Sequence, residues 1–491
     1  MVFLSKRQTS HVSHILELPL FLDHNANEPL HHQLVTQLRE AILQGSISAG
    51  TRLPSTRSLA LLLHVSRTVT IAAYDELFAE GYIEGRHGSG TYVVEDLSLL
   101  KRSPFPSPSG PPRWLRSVEP LLIPRPVVPR EVINFRPGTP DMQFFPERTW
   151  RELWRQVGHA VPPNTYGEPA GLLELRTEVA AYLGRARGIA CQAEDIIITS
   201  GATQAVNLIV QATLVPGDTV ALEEPGYPLA RFAFRASGLH IVPIPVDDDG
   251  VDVSQLANGE SAPYLVYVTP SHQYPLGSRL SSVRRVALLQ WAEANDSLVI
   301  EDDYDGEFRF HAPPLPALAS MDRAGRVVYI GTFSKVLMPG LRVGYLVATA
   351  PLRERIARLK RMFDYHVTWP TQYMLAAMLR DGHLERHIRR MRLHYAEKRR
   401  QLAEIFAPVA SWARLCGLEA GMHVSLELHP ALDAYEIARE ASARDVYVPT
   451  LDEYYTGTPD RNGLLLGYGG LDAQQIYIGA QTLVELIKDR A

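Results

Sequence analysis

Apolar residues in the N-terminal part of the chain recur at helical spacing. Leu30, Leu34, Leu38 and Ile42 fall at every fourth position, and Gly45 ends the run. A turn-rich stretch, 46–54, separates this helix from a second, which Ser55 is placed to cap and which reaches Leu63. Ser66 is the N-cap of a third, running to about Glu80. Residues 81–84 and 91–94 then read as strands on either side of Arg86-His87-Gly88-Ser89-Gly90, a two-stranded wing with a glycine-rich tip. Three short helices and a β-ribbon predict a winged helix-turn-helix, mainly α with a β wing, over residues 1–95 with its core at 28–95. Residues 1–26 carry few structure signals and predict a partly ordered arm.

Periodicity disappears between 96 and 131. Dense proline, from Pro104 to Pro129, enforces an extended, semi-stiff chain and predicts a linker. From residue 132 to 491 the pattern changes again. Apolar strands at 195–199, 219–222, 264–268, 298–300 and 327–330 alternate with helical stretches, which predicts a mainly parallel sheet covered on both faces. From about Pro351 helices dominate, with later strands at 422–426 and 464–466, a smaller subdomain. The fold class is therefore multidomain, an α/β domain following the winged one.

At 491 residues and 46% hydrophobic content the chain is too long for one ordinary domain and rich enough for sizeable cores. Two cysteines, Cys191 and Cys416, argue against a disulfide framework and fit a reducing cytoplasm. No signal peptide opens it, and no apolar run approaches the ~20 residues of a spanning helix, so no membrane partner is expected. The formal charge of −5 gives no global hint of nucleic acid. Residues 1–95 hold seven Lys/Arg against nine Asp/Glu, so position matters more than balance. Arg52, Arg57, Arg67 and Arg86 fall at the edges that a winged fold turns towards a duplex, while Glu76, Glu80 and Glu84 lie beyond the recognition turn. A helical interaction module is the alternative.

The chemistry gathers at strand ends. Strand 327–330 runs into Gly331-Thr332-Phe333-Ser334-Lys335, with Gly331 expected to stop it, and continues to Arg342. A desolvated lysine is less protonated and can attack a carbonyl carbon to form a Schiff base, whereas a lone lysine after a strand is ordinarily a surface residue. Thr332, Ser334 and Arg342 are suited to hold a phosphate beside it. Glu301, Asp302, Asp303 and Asp305 make a metal site, a solvated turn or a partner for a buried cation; Asp302 can keep a pyridinium nitrogen protonated and Tyr304 can bond the phenolate oxygen of the same ring. Ser200, Gly201, Ala202, Thr203 and Gln204 open a helix whose free N–H groups suit a phosphate, and Tyr227 can stack on a flat ring.

Together these residues resemble a fold-type I aminotransferase domain, which implies pyridoxal 5′-phosphate bound through Lys335 and no metal. Tyr166-Gly167-Glu168-Pro169 extends the match; the resemblance implies that Tyr166 reaches the phosphate across the interface of a homodimer. Leu53-Pro54-Ser55-x-Arg57, Val65-Ser66-Arg67, Ala73-Tyr74-x-x-Leu77 and Gly88-Ser89-Gly90-Thr91 resemble the GntR family of bacterial regulators. That likeness implies double-stranded operator DNA as partner, touched by Arg52, Ser55, Arg57, Ser66, Arg67, Thr68, Arg86 and Gly88. Winged domain, proline linker and aminotransferase-like domain in this order resemble the MocR subfamily, as does Tyr274 where ordinary aminotransferases carry asparagine.

The leading expectation is a transcriptional regulator that responds to a small amino compound or to the cofactor itself. A PLP-dependent aminotransferase with an accessory DNA-binding domain and a cofactor-free dimerisation scaffold are the alternatives. Aminotransferases of this fold clamp the substrate carboxylate with an arginine near the chain's end. Here Leu465 stands in that place, and Arg461 could serve only if its loop folds back. Transamination is therefore expected to be weak at most.

Overall fold

The computed structural model describes residues 20–96, 132–310 and 316–491. The linker expected at 96–131 lies, beyond Asp96, outside the described residues. Contacts divide the chain into two compact units, Met1–Val118 and Glu119–Ala491.

In the first unit, helices α1 (Leu30–Leu43), α2 (Thr56–Leu63) and α3 (Arg67–Ala79) are followed by strands β1 (Ile83–Arg86) and β2 (Gly90–Val93). The four-residue repeat of α1 is its buried stripe: Leu34, Leu38 and Ile42 pack with Leu59, Leu77, Ile83 and Val93. Burying each such side chain contributes roughly 1.5–3 kcal/mol. The Ser55 hydroxyl caps α2 by accepting from the Ser58 N–H at 3.1 Å. Ser66 occupies the cap of α3 with extended backbone, but its hydroxyl makes no capping bond. One feature differs from expectation. Arg86 pairs with Gly90, so the wing tip is only His87-Gly88-Ser89; positive φ at Gly88 and Gly90 permits the tighter turn. Within the described part of the expected arm, Leu20 and Leu22 pack on the winged core and the Gln37 amide bonds the Phe21 N–H and carbonyl.

The second unit begins with β3 (Ile133–Asn134), α4 (Glu147–His159) and α5 (Leu173–Arg187). Its sheet comprises β4 (Ile196–Thr199), β5 (Thr219–Glu224), β6 (His240–Asp247), β7 (Gly250–Val251), β8 (Leu265–Val268), β9 (Leu298–Asp302), β10 (Val327–Thr332) and β11 (Gly344–Val347). Their spatial order is β4-β11-β10-β9-β8-β5-β6-β7. Strands β6, β5, β8, β9 and β10 pair in parallel, as the alternating pattern requires, but β11 is antiparallel to both β10 and β4. Gly331 does not end β10: the strand continues through Thr332, and the glycine is there because a Cβ would lie 2.3 Å from the Tyr345 ring on β11.

Helices α6 (Ala202–Thr213), α7 (Pro228–Ala236), α8 (Ser282–Ala294) and α9 (Leu318–Met321) connect the strands. After them come α10 (Ala350–Phe363), α11 (Trp369–Arg380) and α12 (His383–Phe406). The small subdomain adds β12 (Ala413–Cys416), β13 (His423–Leu428), α13 (Ala434–Ala443), β14 (Val446–Tyr447), β15 (Gly463–Gly467) and α14 (Ala473–Lys488). β12, β13 and β15 form an antiparallel sheet, while β14 pairs in parallel with β3. The opening segment of the unit is thereby fastened to its closing strands. Among the described residues, no helix is long and apolar enough to cross a membrane.

Candidate functional site

The parallel strands converge at their C-terminal ends, where an open α/β sheet binds its ligands. Lys335 follows β10, Asp302 ends β9, the 200–204 turn follows β4, and Tyr227 follows β5. The Lys335 ammonium donates to the Gly138 carbonyl at 2.9 Å. Burial pushes its pKa down, against the pull of Asp305 and Asp302. That is the direction a nucleophilic amine needs.

The four acids after β9 resolve into separate tasks. Glu301 accepts from the Leu318 and Ala319 N–H groups at 2.9 Å each. Asp303 pairs with Arg187 and accepts from the Tyr329 hydroxyl at 2.6 Å. Asp305 bonds His272 Nδ1 at 3.0 Å. Asp302 is held through Oδ2 by the Tyr267 hydroxyl at 2.5 Å, while its buried Oδ1 has no partner. Burial pushes the Asp302 carboxyl up to about 7. A buried acceptor left open is costly unless a donor arrives, and a protonated ring nitrogen is such a donor. Tyr304 directs its hydroxyl to His272, at 3.1 Å from Nδ1 and 3.0 Å from the carbonyl. His423 packs on His272 with ring centroids 4.5 Å apart, and burial followed by the His272 charge pushes its pKa well down.

Beside the lysine, Gly201 caps α6 at φ 107° and leaves the first N–H groups of that helix, from Ala202 and Thr203 onward, open to an anion. A Cβ on Gly201 would meet the Arg342 guanidinium at 3.2 Å, so glycine lets the arginine close over this turn; Arg342 Nη2 donates to the Ser200 carbonyl at 2.8 Å. Thr332 and Ser334 are buried next to it, with Thr332 Oγ1 accepting from the Ser334 N–H at 3.1 Å. The Gln204 side chain is committed elsewhere, to the Ser200 N–H at 2.8 Å and Asp364 at 2.6 Å. Tyr227 meets Tyr274 edge-on at 5.6 Å. Tyr166 stands apart, exposed and 5.2 Å from the Tyr365 ring. Lysine, open carboxylate oxygen and anion cradle fit pyridoxal 5′-phosphate. The sequence pattern missed the residues that hold these groups: Gly138, Tyr267, His272 and His423. A tyrosine inside the otherwise aliphatic β8 was the available signal for Tyr267.

Leu465 is wholly buried in the apolar cluster that contains Leu276, Leu280, Leu451 and Tyr454. Arg461 does not fold back: it pairs with Glu427 and, at 3.6 Å, Asp248, and it lines a separate cavity of about 1180 Å³.

In the winged unit Arg52, Ser55, Arg57, Ser66, Arg67, Thr68, Arg86 and Gly88 are all exposed. The Thr70 hydroxyl donates to the Thr56 carbonyl at 2.8 Å and Tyr74 to the Pro54 carbonyl at 2.8 Å, which ties the starts of α2 and α3 together. Arg52 joins the wing through a backbone bridge to Tyr92. Glu76 and Glu80 face Arg39, whereas Glu84 pairs with the wing's Arg86 at 2.9 Å.

Residues 30–93 match the family described as bacterial regulatory proteins, gntR family, and residues 130–461 match aminotransferase class I and II. The probable rhizopine catabolism regulatory protein MocR of Rhizobium meliloti is 34% identical, covering 94% of this chain and 95% of that protein. The pyridoxine biosynthesis transcriptional regulator PdxR of Corynebacterium glutamicum is also 34% identical, covering 93% and 96%. Among solved structures, the kynurenine aminotransferase of Pyrococcus horikoshii in complex with PMP matches with a TM-score of 0.68 at 29% identity, over 73% of this chain and 91% of that one.

Proposed function

Because the chain belongs to the MocR subfamily of GntR-type bacterial transcriptional regulators, we propose that its second unit senses a small amino compound, or the cofactor itself, through pyridoxal 5′-phosphate. Lys335 would be its covalent attachment point, the open Asp302 Oδ1 would take the ring nitrogen, and Thr332, Ser334, Arg342 and the start of α6 would hold the phosphate. When bound, the cofactor supplies an electrophilic carbon and an electron-accepting ring. The protein's own part is to keep Lys335 desolvated against Gly138, to hold Asp302 with Tyr267, and to orient Tyr304 through His272. Tyr166 is proposed to complete the site of a second copy, making a homodimer. The winged unit reads operator DNA in the cytoplasm, and a ligand that prefers one arrangement of the units shifts that binding.

The observation that carries the sensing reading is Leu465. In place of a fork that would grip a carboxylate stands an apolar side chain sealed in the core. An amino acid docked in the usual pose would leave its charge unpaired there, which costs more than the lost attraction. The test mixes holo-protein with common amino and keto acids and follows the pyridoxamine form of the cofactor. A cofactor absorbance band that disappears in Lys335→Ala, without multiple turnover in the wild type, is the expected result. Sustained transamination of any pair overturns the sensing reading in favour of an aminotransferase with an accessory DNA-binding domain.

A further inference from the structure

With Leu465 buried and Arg461 paired to Glu427, the cation that meets an acidic ligand has to come from elsewhere in the pocket wall. The segment Phe135-Arg136-Pro137-Gly138 lies between the end of β15 and the lysine. The Gly467 N–H donates to the Phe135 carbonyl at 2.7 Å, and a Cβ on Gly467 would meet Pro137 Cα at 2.5 Å and the Arg136 carbonyl at 2.6 Å. Glycine at 467 thus lets this segment lie flat against the strand on which the family's arginine is ordinarily carried. Two residues after Arg136, Gly138 receives the Lys335 ammonium.

The Arg136 side chain is half-buried and makes no ion pair among the described residues. Its contacts are a long one, Nη2 to the Tyr447 hydroxyl at 3.5 Å, and the face of the same ring, 5.4 Å from Cζ. The neighbouring arginines are engaged: Arg187 with Asp303, Arg231 with the Tyr454 and Tyr455 carbonyls, Arg342 with the Ser200 carbonyl. Arg136 also acts electrically on the aromatic group around Tyr274. Burial pushes the Tyr274 and Tyr454 hydroxyls up, and the Arg136 charge opposes that push at both. Tyr274 is within 5.4–5.7 Å, ring to ring, of Tyr454, Tyr227 and Tyr304. Arg136 also acts electrically on Glu453, which makes no ion pair with it and accepts from the Thr450 N–H at 3.3 Å.

We infer that Arg136 is the anion anchor of this pocket, taking the carboxylate of an amino compound whose amine is directed to the cofactor at Lys335. A half-buried guanidinium whose contacts are a long hydrogen bond to one tyrosine and the face of its ring retains donors for a bidentate partner, and a carboxylate supplies it. The anchor sits on the segment that leads out of β3, not on β15, so a ligand lies across the pocket differently from one gripped at position 465. The inference rests on the cofactor-dependent sensing proposed above.

The experiment titrates full-length holo-protein with two probe pairs, L-alanine against ethylamine and 5-aminopentanoate against pentylamine, and reads half-saturation of the change in cofactor absorbance. Wild type should prefer the carboxylate-bearing member of at least one pair. Arg136→Ala should lower that preference by about tenfold or more, the loss of a hydrogen bond to a charged group. It should leave the cofactor band and the response to the plain amine unchanged, and Arg136→Lys should keep part of the preference. A cofactor band with a carboxylate preference that survives in Arg136→Ala, or with no preference in wild type, overturns the anchor alone. Absence of any cofactor band in wild type overturns the sensing proposal and the anchor with it.

Discussion

In the winged unit Arg52, Arg57 and Arg67 stand exposed and without ion pairs among the described residues, whereas in the second unit Asp302 and Lys335 are withdrawn from water and held by Tyr267 and Gly138. The first arrangement suits a partner that brings its own charge and displaces water on arrival. The second suits a ligand whose atoms complete a set already oriented. An exposed arginine adds affinity nearly independently of its neighbours, so its removal is felt gradually. A buried carboxyl with one open oxygen is an all-or-none matter, because its cost is present whenever the ligand is absent.

The largest effect should therefore appear at Asp302. With its folded pKa raised to about 7, the cofactor-free native state holds more protons than the unfolded chain from the ordinary carboxylate range up to that value. Stability falls as pH rises through this window. The loss is on the order of 4 kcal/mol at most, since each pH unit across the window is worth roughly 1.36 kcal/mol. Asp302→Asn removes this contribution, so cofactor-free variant and wild type should diverge in Tm between pH 4.5 and 8, with the variant the more stable at the alkaline end. Glu307, also pushed up to about 7 by burial, is common to both proteins and cancels in the comparison, whereas Glu223, raised by burial and in part by the Asp302 charge, titrates lower in the variant and adds to the divergence. The same variant should hold the cofactor at least tenfold more weakly, since the ring nitrogen loses its charged acceptor. Parallel Tm curves would show that Asp302 is not the strained group that its geometry describes.

A smaller effect is expected at the DNA face. Arg67 begins α3 next to the tied start of α2, where two helix N-termini already favour phosphate. Arg67→Ala should weaken operator binding by about tenfold and reduce the salt slope by about one if it meets a phosphate. A base contact would instead relax sequence preference at one position. Cofactor absorbance should not change in either case. Unaltered affinity across salt concentrations would remove Arg67 from the interface.

The same contrast explains what the sequence disclosed. Lys335, Asp302 and the turn at 200–204 were legible because each follows its own apolar strand, and the helix and wing pattern of the first unit is local. The groups that hold the site were not legible, because they arrive from distant chain positions. Tyr267 is 35 residues from Asp302, and Gly138 is 197 residues from Lys335. Apolar runs do not record strand direction either, so antiparallel β11 was hidden, and with it the reason for Gly331. Arg136 lay in a stretch resembling the fold's entry segment but carried no signal of a charge role: only the pairing of β3 with β14 and the close approach at Gly467 bring its segment beside β15.

The smallest expected effect tests the one wing arginine that does not share the openness of its neighbours. Arg86 donates from Nε to Glu84 at 2.9 Å and from Nη2 to Glu95 at 2.7 Å, and its guanidinium lies 4.8 Å from the Tyr92 ring centroid. All three charged side chains are well exposed, so the pairs add little to stability, yet they matter to a polyanion. To meet a phosphate, Arg86 must either leave both carboxylates or carry them towards the duplex, where they repel it. Replacing Glu84 and Glu95 together by glutamine removes two negative charges beside the wing and leaves the Tyr92 contact in place. Operator affinity should rise a few-fold at low salt, and the gain should fade towards 1 M salt, where the screening length is about 3 Å. Thermal stability and cofactor absorbance should stay as they were. A gain that persists at high salt would mean a rearranged wing rather than relieved repulsion. Unchanged affinity at low salt would mean that Arg86 stays outside the phosphate's reach and that Arg52, Arg57 and Arg67 read the DNA without it.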